Sequence, residues 1–152
     1  MPATIQESPK TIPIFLPLIV SVIIILLWLI PYAGLILRER GFNAGVLGLV
    51  EYIAIPVTCL APVIYGWKTS DTKGAVIAGV LPFLFVMSIP RIFSGEQAGN
   101  QPAFTDWVLY MLPLCITGGL EGYFASLQGN TWKGISIILA GTWVWFFLSG
   151  IH

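Results

Sequence analysis

Two acidic side chains, Glu51 and Glu121, stand inside long apolar stretches of this 152-residue chain, and their type and placement make them the first candidates for chemistry. A carboxylate set in hydrocarbon costs on the order of a few kcal/mol unless it is paired, protonated or hydrated. A group held at that cost is expected to bind or pass a proton, a cation or a small solute. Each glutamate lies about six residues, hence roughly 9 Å at about 1.5 Å per residue, from its nearer surface, and the two approach from opposite surfaces. Across a hydrocarbon layer of about 30 Å they are then about 12 Å apart in depth, too far to share one proton but suited to two successive stations.

Partners follow from which surface each residue shares. Arg91 ends the third apolar stretch on the surface where the second begins, so an ion pair with Glu51 is expected, structural or on a pathway. Asp106 shares that surface and reads as a helix-start charge complementing the macrodipole. On the opposite surface Lys73 or Lys133 is expected to snorkel towards Glu121.

Around Glu121 the sequence runs Cys115-Ile116-Thr117-Gly118-Gly119-Leu120-Glu121-Gly122-Tyr123. Gly118 and Gly122 make a GxxxG, which with Gly119 lets a neighbouring helix approach closely. Gly74 and Ala78, with Ala75 and Gly79, make a second small-residue face. Both faces are expected to pack helices or to join copies of the chain.

Other chemistries lack their residues. The single histidine is His152, which leaves no axial or metal ligand within the apolar stretches. There is no phosphate-binding loop, no dinucleotide glycine fingerprint and no Ser, His, Asp set. Cys59 and Cys115 both lie in apolar runs, so neither a disulfide framework nor a zinc spacing is expected. Glu51, Arg91 and Asp106 are the one polar cluster available to a lipid-modifying enzyme. The expectation is a protein that is not an enzyme and carries no cofactor or metal. A formal net charge of zero with no basic stripe excludes a nucleic-acid partner.

The elements that position these residues are membrane helices. With 57% hydrophobic and 9% charged residues, a chain this short cannot hide its apolar surface in a globule, because a soluble domain of this size buries only roughly two thirds of its surface. Five stretches reach the roughly 20 residues that a crossing needs, near residues 14–37, 45–67, 73–93, 105–127 and 131–151. They must be helices, since an open strand leaves backbone groups unsatisfied in lipid. Residues 1–13 form a short polar tail, and 14–152 form one transmembrane domain. The run Ile14–Leu37 is too long for a secretory signal and is expected to be a retained first span. Trp67, Trp107 and Trp132 fall at span ends, at headgroup level. Lys10, Lys68, Lys73 and Lys133 share the amino-terminal side against Arg38, Arg40 and Arg91, which tips the amino terminus inward by one charge.

After the leading span the chain echoes itself as two hairpins. Glu51-Tyr52, Pro56, Cys59, Gly66 and Lys73-Gly74 find an ordered counterpart in Asp106-Trp107, Pro113, Cys115, Gly118 and Lys133-Gly134. Such a repeat sets Cys59 and Cys115 at comparable depth on related helices. The sequence therefore reads as an all-α, multi-pass integral protein of the plasma membrane, surrounded by lipid and associated with copies of itself or with other membrane subunits. Two functions fit: a transport or channel protein with Glu121 and Glu51 lining the path, or a non-catalytic accessory subunit of a larger membrane complex.

Overall fold

The computed structural model describes residues 15–41, 43, 45–93 and 104–149. Among them every regular element is helical: α1 Phe15–Glu39, α2 Gly45–Gly48, α3 Glu51–Thr69, α4 Thr72–Phe93, α5 Phe104–Ser126 and α6 Asn130–Ser149. The expected tail and the expected connection at 94–101 lie outside the described residues, as do the side chains of Arg91, Asp106 and Trp107.

Over its described residues each expected apolar stretch is helical, with one break. The second is broken: the one-turn α2 and the long α3 are separated by a turn at Leu49 and Val50. There the Tyr52 and Ile53 amides donate to the Leu49 and Val50 carbonyls at 3.2 and 3.0 Å, the tighter three-residue closure of a 3₁₀ turn. Gly45 and Gly48 explain the weakness, since glycine in a helix costs about 1 kcal/mol relative to alanine. The break makes Glu51 the first residue of α3, at the positive end of that helix's dipole, within the apolar segment Gly45–Thr69.

Two segments, Phe15–Arg38 and Gly45–Thr69, are long and apolar enough to cross a membrane, and Thr72–Val86 is a shorter apolar helix. Their burial follows helical spacing. On α1 the buried positions are Pro17, Ser21, Ile24, Pro31 and Gly34, one narrow stripe. Off that stripe apolar side chains stay open: Ile24 is 1% exposed and its neighbour Ile23 57%. The same holds for Ile53 and Ile64 on α3, Leu109 and Ile116 on α5, and Ile138 and Trp145 on α6, all large, apolar and exposed. The interior, in contrast, holds Ser21, Thr58, Glu121, Ser126 and Ser136.

Helices α3 to α6 form a four-helix bundle with α6 closing against α3 and α5, and α1 lies across α4 and α3. Cys59, Val63, Phe83, Leu114, Ala125 and Ala140 make its core, with Trp143 and Phe147 packed against it. Phe83 and Phe147 stack with centroids 6.4 Å apart. The broadest contact is α4 on α5. There the backbones meet, because a Cβ on Gly79 would strike the Gly118 carbonyl and one on Gly122 the Ala75 carbonyl.

The α3–α4 turn is fixed by Asp71. Ser70 takes the left-handed conformation (φ 53°) and its amide closes α3 onto the Gly66 carbonyl at 2.8 Å. Asp71 then caps α4: Oδ1 accepts from the Gly74 amide at 3.1 Å and Oδ2 from the Tyr65 hydroxyl at 2.9 Å. Asp71→Ala removes both acceptors. It is expected to cost about 1–2 kcal/mol, read as a lowered thermal midpoint in mild detergent, with Tyr65→Phe costing less because the cap survives.

Candidate functional site

Helix α5 presents Leu114, Glu121 and Ala125 along one face, at steps of seven and four residues. Leu114 and Ala125 belong to the core they share with Cys59 and Val63 of α3 and Ala140 of α6. Glu121 therefore points into the bundle, where its side chain is 0% exposed. Among the described residues neither carboxylate oxygen has a hydrogen-bond partner. The Cys59 thiol lies within electrostatic range of it on α3.

Buried hydroxyls on α3, α5 and α6 are committed elsewhere. Thr58 donates to the Ala54 carbonyl at 2.7 Å and accepts from the Trp28 indole of α1 at 2.8 Å. Ser136 donates to the Lys133 carbonyl at 2.8 Å. Ser126 is divided between Thr72 Oγ1 at 2.9 Å and the Tyr123 carbonyl at 2.7 Å. The expected snorkelling partners are absent as well: Lys73 and Lys133 are both exposed and neither hydrogen-bonds Glu121. Their positions explain this, since they open α4 and α6 at the bundle surface, more than a turn away along the chain from the helix interiors.

Glu51 does not join Glu121. It is half-buried at the start of α3, within electrostatic range of Tyr32 on α1. Its expected pairing with Arg91 lies outside the described residues. Tyr32 in turn lines a groove of about 210 Å³ with Leu29, Ala33 and Ile36.

The glycine faces meet each other within one chain. Gly118 lies against Gly79 and Phe83, Gly119 against Val80, and Gly122 against Ala75. Gly74 makes room for the Tyr65 hydroxyl and the Asp71 carboxylate in the α3–α4 turn, and Ala78 is fully buried in α4. Gly118, Gly122, Gly74 and Ala78 are thus occupied inside the bundle, while Gly119 also lines an open groove along α4 and α5. Of the two cysteines placed at matching depth by the hairpin echo, Cys59 is buried beside Glu121. Cys115 is half-buried against the Val80 carbonyl, at 3.9 Å, on the wall of an apolar groove of about 470 Å³. The two sites differ in neighbours and in exposure.

Sequence reasoning missed the Trp28–Thr58 tie between α1 and α3 and the Tyr65–Asp71 bond. The second had a signal, an Asp three residues ahead of Gly74 at a helix start. The first had none, because it joins residues 30 positions apart on two different helices. Comparison with protein-family models, with curated proteins and with solved structures gives no match to this chain.

Proposed function

We propose that this chain is a small multi-pass protein of the cell membrane, of transport or channel type, in which Glu121 is the interior binding station of a path for a proton, cation or small solute. The observation that carries the reading is Glu121 itself: a carboxylate fully enclosed by the bundle, with no partner on either oxygen among the described residues. Stability alone does not favour such a group, and an ionisable residue at this depth is the usual mark of a pathway. The membrane setting is supported by two helices of crossing length, by exposed apolar side chains on α1, α3, α5 and α6, and by polar groups turned inward. All five long helices cross in this reading, and Glu51, half-buried at the surface break before α3, serves as the outer station.

Vesicles reconstituted with the purified protein test it. A pH-sensitive dye inside them is expected to report flux above that of empty vesicles. Glu121→Gln should reduce that flux about tenfold or more, since it removes the ionisable group, and Glu51→Gln should slow it less. Wild-type vesicles no leakier than empty ones to protons, sodium, potassium or calcium would sink the reading in favour of an accessory subunit. The open groove along α4 and α5, lined by Val76, Val80, Cys115 and Leu120, is where another chain would then sit.

A further inference from the structure

We propose that the species Glu121 binds is a proton and not a metal cation; this rests on the binding role just assigned and narrows it to one substrate class. A hard cation demands a shell of oxygens: calcium takes about six to eight and magnesium a near-octahedral set. Glu121 supplies two. Among the described residues no group of three or more His, Cys, Asp or Glu side chains converges to hold an ion. The buried hydroxyls of Thr58, Ser136 and Ser126 are directed to carbonyls of their own helices.

The groups that face Glu121 complete the argument. From α3 comes the Cys59 thiol, while the Tyr65 hydroxyl is bound to Asp71. Helix α4 carries no titratable side chain from Gly74 to Val86, and α6 carries none from Gly134 to Val144. On α5 itself Cys115 faces α4 and Tyr123 is exposed. Among the described residues a buried anion there has no counter-charge, and a cation arriving would find a single carboxylate. A proton needs no ligand shell. It binds one carboxylate oxygen, cancels the charge and adds no volume to a close-packed interior.

Infrared difference spectra of the detergent-solubilised protein between acid and alkaline buffer read this directly. The expected result is a carboxylic-acid C=O band that disappears on alkalinisation, shifts in heavy water, is indifferent to saturating sodium or calcium, and is missing in Glu121→Gln. Should that variant fail to fold, Glu121→Asp keeps an acid and must displace the band. A band abolished by sodium or calcium at fixed pH overturns the proposal, because the cation then occupies the carboxylate. Lack of an acid band at every pH overturns it too. A titrating band without proton flux in vesicles retires the transport reading and leaves the proton site standing. Flux with a cation-displaced band does the reverse.

Discussion

Gly118→Leu is expected to undo the bundle, not merely to loosen it. A single Cβ at that position would meet the Gly79 carbonyl oxygen on α4 and the Phe83 ring carbons at 2.7 Å. Leucine adds three further carbons. Phe83 could yield by rotating, but it is 2% exposed and stacked on Phe147, so the ring has nowhere to go. The other obstacle is backbone, which cannot rotate away at all. The two helices must separate along the broadest contact in the molecule. Overpacking a well-filled core typically costs about 1–3 kcal/mol and occasionally more, and a backbone obstacle places this case at or above the top of that range. Circular dichroism melts in mild detergent and resistance to limited proteolysis are the readouts. Gly134→Leu and Gly141→Leu are the controls, since nothing lies within 4 Å of a Cβ at either. They should melt with the wild type. The contact is within one chain, so the folded fraction of Gly118→Leu should keep its native mass. A stable Gly118→Leu monomer obtained from a larger wild-type assembly would mean that the glycine face meets another copy.

The same contact shows how far the sequence could be read. That Gly118, Gly122, Gly74 and Ala78 mark close approach follows from residue size and spacing, and three of the four do lie where backbones or a buried hydroxyl come close. What they approach does not follow, because a small-residue face is equally suited to a helix of the same chain or of another. The helices themselves were legible from long apolar runs and their polar punctuation. The break ahead of Glu51 was not, since Leu49 and Val50 are apolar and keep the run continuous, while the turn depends on local hydrogen bonds that hydropathy does not register. Glu121 was placed inside the protein because it falls within a long apolar stretch, about six residues from its end. Its isolation was not foreseen, since the reach of Lys73 and Lys133 is set by where α4 and α6 begin in space, a tertiary property.

That isolation gives Glu121→Met an expected effect of unusual sign. Most core substitutions destabilise, and removing one member of a buried ion pair costs about 3–5 kcal/mol because the other charge is stranded. Removing Glu121 strands nothing among the described residues, since neither of its oxygens is bonded to any of them. Its burial instead carries the desolvation cost of an unsatisfied polar group, about 1–3 kcal/mol. Methionine is close to glutamate in length and is flexible enough to fill the same buried space near Cys59. Glu121→Met is therefore expected to stabilise the protein by about 1–3 kcal/mol while abolishing flux. Equilibrium unfolding in mixed detergent gives the first quantity and the vesicle assay the second. A gain in stability with loss of transport is what a group kept for function at the expense of folding must show. If Glu121→Met instead lowers stability by several kcal/mol, the carboxylate has a structural partner, and the interior of the bundle is a scaffold joint, not a station on a path. Glu121→Gln separates the two further, because it keeps the shape and polarity but adds an amide that also lacks a partner, so it should remove flux without the gain in stability.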